Sequence, residues 1–147
     1  MTEKKCTDHK NTDQGLIGNE KIEESIALLQ QEASQEFLAH VLTVLRRRMK
    51  ENGQFVIAVE PPAGDGRIAI QTVQSADGRR WWMAFTSFEE ELKGSGSVMS
   101  TFLADMEQTY RSALEAEGIE GVIINPWNRT IMLDKMLIHI ILGQISD

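Results

Sequence analysis

Apolar residues recur at helical spacing from Asn19 onward. Ile22, Ile26, Leu29 and Ala33 form one stripe, and Phe37, Val41, Val44 and Leu45 continue it towards Lys50. That spacing predicts an amphipathic face. Ser34 can cap a new helix with its hydroxyl, so two helices are expected, over 19–31 and 35–51, or one long kinked helix. Asn52-Gly53 ends the pattern, because both residues tolerate the left-handed backbone. Arg46, Arg47, Arg48 and Lys50 suit the negative end of that helix.

The period then changes from helical to alternating. In Gln54–Glu60, Phe55, Ile57 and Val59 point one way and Val56 and Ala58 the other. A strand apolar on both faces belongs inside a sheet covered on both sides. Pro61 to Gly66 is turn-forming and lacks the Gly-Lys-Ser/Thr ending of a phosphate loop. Arg67–Ser75 and Arg79–Phe85 read as strands joined at Asp77-Gly78, expected as a two-residue turn with positive φ at both positions. Alternation sends Trp81 and Trp82 to opposite faces.

Ser87 with Glu90 fits a capping box ahead of a short helix at about 88–93. No Gly-x-Ser-x-Gly elbow surrounds Ser87, so its expected part is the cap. Gly94 to Ser97 should be a loop. Phe102, Leu103, Met106, Tyr110, Ala113 and Leu114 then predict one helix over about 98–117, stopped by Gly118. Gly121–Asn125 reads as a buried strand, Pro126 to Arg129 as a turn, and 130–132 as a short return strand. Asp134 should cap a last helix, 135–142, closed by Gly143, with Met136, Leu137, Ile140 and Ile141 towards the core.

These elements compose an α+β domain of order ααβββααββα, with a mainly antiparallel mixed sheet of four to five strands and helices on both faces. Its expected bounds are 19–147, after a polar flexible tail at 1–18 with too few apolar residues to order itself. The chain has 147 residues, enough for one domain without metal or disulfide staples. No 18-residue apolar run is present, so no membrane span is expected. The net charge of −7 argues against phosphate backbones as partners. One cysteine, Cys6, and the absence of an apolar leader fit a reducing cytoplasm. Cys6 and His9, with Asp8 between them, fall short of a four-ligand metal set, so neither metal nor cofactor is expected. His40 and His139 lack an evident acidic partner, and no catalytic residue is assigned.

Phe85-Thr86-Ser87, closing a strand before a helix, and Val122-Ile123-Ile124-Asn125-Pro126 about 35 residues later resemble the N-terminal domain of the SseB family. The resemblance covers about 19–143. It implies this order of elements and brings no established catalytic residues. Longer members carry a second domain, so functions needing that domain are not expected of these residues. Two functional readings follow. The first is a non-catalytic protein-binding module presenting Trp127, Asn128 and Arg129 on the turn after Asn125 and Pro126, since turns lie at the surface and Trp and Arg anchor interfaces. The second is a small-molecule site or hydrolase between the end of the third strand and that turn. It would use Thr86, Ser87 and Asn125 as polar groups and Trp82 or Trp127 as an apolar wall. A possible homodimer through the return strand at the sheet edge completes the expectations.

Overall fold

The computed structural model describes residues 14–59, 70–95 and 100–143. Cys6 and His9, and the turn at Pro61 to Gly66, lie outside them. The described chain runs α1 (Glu20–Gln31), α2 (Gln35–Lys50), β1 (Gln54–Val59), β2 (Thr72–Gln74), β3 (Arg80–Ala84), α3 (Phe88–Ser95), β4 (Ser100–Asp105), α4 (Met106–Glu115), β5 (Gly121–Ile124), β6 (Ile131–Asp134) and α5 (Lys135–Leu142). A 3₁₀ turn, Gln14–Leu16, precedes α1. The architecture is α+β with mainly antiparallel strands.

Local chemistry sets the helix ends. Ser34 Oγ accepts from Phe37 N at 3.1 Å, which stops α1 from running into α2. Asp134 Oδ1 accepts from Leu137 N at 2.9 Å to start α5, and Gly143, at φ 78°, ends it. Asn52 takes φ 66° just past α2. Ser87 Oγ accepts from Glu90 N at 3.2 Å. The Glu90 carboxylate goes to Lys93 rather than back to the cap, so half of the capping box forms.

The strands form two hydrogen-bonded sets. One has the order β2-β3-β5-β6, in which only β3–β5 is parallel. The other pairs β1 with β4 antiparallel, from Gln54 against Asp105 to Val59 against Ser100. Bridges between Val56 and Phe85 and between Val59 and Ile70 sew the sets together. β1 is buried on both sides as its pattern requires. Phe55 and Ile57 enter the main core with residues of α1, α2, α4 and α5, while Val56 and Ala58 join a smaller cluster with Trp81, Met83, Phe85 and Ile123. Trp81 and Trp82 do part to opposite faces, Trp81 in the small cluster and Trp82 against the main one.

Three local expectations are corrected. The segment expected as one helix over 98–117 divides at Asp105 into β4 and α4, with residues 96–99 outside the description. β1 has an edge to satisfy, and six residues of the segment pair with it, overriding their helical spacing. Between β2 and β3 only Gly78 has positive φ, and Ser75 N donates to Arg79 O at 2.8 Å. The connection is therefore a three-residue loop whose last position is left-handed, not a two-residue turn. In α5, Ile138 and Ile141 face the core, whereas Met136 and Ile140 are exposed.

Candidate functional site

Where β3 ends, Thr86 becomes the node of a buried polar seam. Its N–H donates to Asn125 Oδ1 at 3.0 Å, and its hydroxyl oxygen accepts from Asn125 Nδ2 at 3.0 Å. The same hydroxyl donates to Glu23 Oε2 of α1 at 2.5 Å, and Thr86 O accepts from Asn19 Nδ2 at 3.1 Å. Thr86 is 1% exposed and Asn125 0%, so each of these bonds replaces water that neither group can reach.

Asn125 suits its position for a backbone reason as well. It takes φ 52°, a conformation that costs most L-residues about 1–2 kcal/mol and that Asn tolerates. Its N–H donates to Ala84 O at 2.8 Å, and its carbonyl accepts from Asn128 N at 3.2 Å and from the Thr130 hydroxyl at 2.5 Å. One residue thus holds both strands and closes the turn over Pro126 to Arg129. At the tip Trp127 is 45% exposed, and Asn128 and Arg129 are exposed beside it. Arg129, also left-handed at φ 49°, reaches Glu23 Oε1 at 3.5 Å. The Arg129 side chain remains 44% exposed.

The seam continues towards the start of the described chain. Asn19 Nδ2 also donates to Gln54 O at 2.9 Å, and Asn19 Oδ1 accepts from Arg48 Nε at 3.0 Å. Arg48 donates further to Glu51 at 3.0 Å and to Gly15 O at 2.9 Å. Its guanidinium floors an open groove of about 600 Å³, with Gln14, Ile17, Glu51, Gln54 and Asp105 around it.

Seven of the eight candidate residues, 86–87 and 125–129, gather at this end of the sheet. Trp82 does not. It lies four residues back along β3, roughly 13 Å at the usual strand rise. There it lines a separate apolar cavity of about 130 Å³ with Ile57, Ile70, Phe102 and Ala104. Four participants escaped the sequence reading: Asn19, Glu23, Arg48 and Glu51. Arg48 carried a signal, because it continues the apolar stripe of Val41, Val44 and Leu45, where a cation must find partners. Asn19 and Glu23 carried none, since their partners are contributed from 29 to 106 residues away.

Among the described residues, no group of three or more His, Cys, Asp and Glu side chains is placed to hold a metal ion. No described helix is long and apolar enough to cross a membrane. With the fold and seam in view, the comparison with protein families is specific: the SseB protein N-terminal domain matches residues 22–139. The chain belongs to that family. Comparison with curated proteins finds no match, nor does comparison with solved structures. The matched span includes β3, the seam residues Glu23, Arg48, Thr86 and Asn125, and the 126–129 turn.

Proposed function

We propose that the domain is a non-catalytic, protein-binding or regulatory module of the cytoplasm whose recognition surface is the turn Pro126-Trp127-Asn128-Arg129. The observation that carries this reading is a large ring, 45% exposed, on a turn held rigid by a fully buried asparagine. A preorganised aromatic gives up little entropy on binding, and Trp and Arg are favoured anchors. Arg129, whose contact with Glu23 is long and whose side chain is 44% exposed, can meet a carboxylate on a partner. The hydrolase alternative draws less support, because Thr86 and Asn125 direct their side-chain groups into each other and into Glu23. The acidic charge of −7 favours a protein over a nucleic acid as partner.

The test compares wild type with the Trp127→Ala, Arg129→Ala double variant as bait in native lysate, with thermal melting to check folding. A protein held by wild type and lost by an equally stable variant supports the module and locates its surface. Equal capture by both moves recognition elsewhere. A small molecule retained by both, with turnover, revives the enzymatic alternative.

A further inference from the structure

Asn52-Gly53, which follows α2, is the one place in the sequence where glycine succeeds asparagine. That pair carries its own chemistry. The nitrogen of the second residue can attack the carboxamide carbon of the first, and glycine obstructs the approach least because it has no β-carbon. The fold holds both residues where they stand. Asn52 takes the left-handed position after the helix, at φ 66°. Its N–H donates to Met49 O at 3.1 Å and the Gly53 N–H to Arg48 O at 2.8 Å, the two bonds of a Schellman end. A β-carbon on residue 53 would lie 2.7 Å from Arg48 O and 3.1 Å from Met106 Sδ, so a bulkier neighbour that would react more slowly has no room. Gly53 O accepts from Met106 N at 2.9 Å, so both backbone groups of the glycine are held. Gly53 is buried and Asn52 is exposed to water.

We infer that Asn52 is a deamidation site locked by the bond from Gly53 N–H to Arg48 O. Attack requires base to take the Gly53 amide proton, and in the folded chain that proton is the one Arg48 O holds. When the end of α2 opens, the proton leaves to hydroxide and the nitrogen bonds to Asn52 Cγ. The Cγ–Nδ2 bond breaks, ammonia departs and a succinimide ring closes. Water then opens the ring at either carbonyl. Hydrolysis at Cγ gives aspartate on an unchanged backbone, and aspartate tolerates the left-handed region. Its carboxylate joins those of Glu51 and Asp105 around the Arg48 groove. Hydrolysis at the main-chain carbonyl gives isoaspartate, which routes the chain through the side chain and adds a methylene between Glu51 and Gly53. The longer link displaces Gly53 from Arg48 O or from Met106 N. The end of α2 thus opens reversibly until the reaction occurs, and an isoaspartate chain cannot fully re-form it.

The experiment ages the full chain in mildly alkaline buffer, folded and in concentrated urea. The tryptic peptide 51–67 carries Asn52 as its one asparagine, so its conversion from amide to acid, placed at residue 52 rather than Gln54 by fragmentation, reads the reaction by mass. Hydrogen exchange at the Gly53 amide, read by NMR, measures release of the same proton. Folding should slow deamidation by the Gly53 protection factor to within a few-fold, and that factor should exceed roughly tenfold. Deamidation as fast in the fold as in urea overturns the lock, as does a Gly53 N–H that exchanges without protection. An Asn52 that stays intact in urea overturns the site. The isoaspartate chain, recovered from urea and refolded, should melt well below wild type, while Asn52→Asp melts near it. Asn52→Gly keeps the left-handed position and has no carboxamide, so ageing it alongside corrects for isomerisation at Asp65-Gly66 and Asp77-Gly78. An isoaspartate chain as stable as wild type overturns the break at the end of α2.

Discussion

Asn125 and Glu91 are both polar and both covered, and they differ in what they face. Asn125 meets partners at both ends of its amide and at both of its backbone groups. Glu91 and its neighbour Glu90, each 4% exposed on α3, leave Glu91 Oε2 and Glu90 Oε1 with no hydrogen-bond partner among the described residues. A buried polar group costs free energy only where its bonds go unmade. The seam around Asn125 is therefore a clamp that specifies how α1, β3 and β5 meet, whereas α3 is a joint held against a standing penalty.

The sharpest way to break this contrast is at the clamp. Asn125→Ala removes two buried side-chain bonds, strands the Thr86 N–H and puts alanine in the left-handed region. Its expected cost is about 3 kcal/mol, read from denaturant unfolding. Asn125→Gly keeps the backbone freedom and should recover roughly 1 kcal/mol of that loss. A cost for the alanine variant below about 1 kcal/mol would remove the clamp from the account.

The open cluster should respond in the opposite direction. Burial raises the Glu91 pKa above the ordinary range, because the charged form is the one desolvated. The folded state then holds its proton more tightly than the unfolded state does, so wild type gains stability as pH falls from the raised folded value towards about 4.3. Glu91→Gln should stabilise the domain by about 1 kcal/mol at neutral pH, and the advantage should vanish in acid. A pH-independent difference between the two proteins would assign the effect to packing instead. Tyr110 gives the smallest effect. Its ring packs edge-on to Phe55, with centroids 5.9 Å apart, while its buried hydroxyl meets no partner among the described residues. Tyr110→Phe keeps the ring and should change stability by less than about 1 kcal/mol, in the favourable direction. A substantial loss on thermal melting would reveal a partner for that hydroxyl.

How much of this was legible in the chain depends on how far each residue's partner lies. Ser34 and Asp134 cap helices through bonds three residues long, and both were readable. The double-faced apolar pattern of β1 and the parting of Trp81 from Trp82 are strand periodicity, also local. β4 was hidden because Phe102, Leu103, Met106 and Tyr110 satisfy a helical period, and only the edge of β1, more than 40 residues earlier, draws the first two into a strand. Met136 and Ile140 were given to the core because α5 is apolar on most sides, so its wheel has no clear polar face. At the site, the residues before and after the turn stood out as Asn-Pro and exposed-looking Trp and Arg. The bonds that fix Asn125 run to Thr86, 39 residues away, and no local pattern announces them.

The same long reach bears on the order in which the molecule assembles. Helix hairpin α1–α2 and hairpins β2–β3 and β5–β6 close short loops, while β1–β4, β3–β5 and the Asn19–Thr86–Asn125 bonds join chain segments 39 to 67 residues apart. Closing long loops is entropically costly, and distant contacts form late. The clamp should then be absent from the folding transition state and present only behind it. In stopped-flow measurements Asn125→Gly should refold at nearly the wild-type rate and unfold several-fold faster. The asparagine would act as a latch that sets how long the native state lasts, with little say in how quickly it is reached.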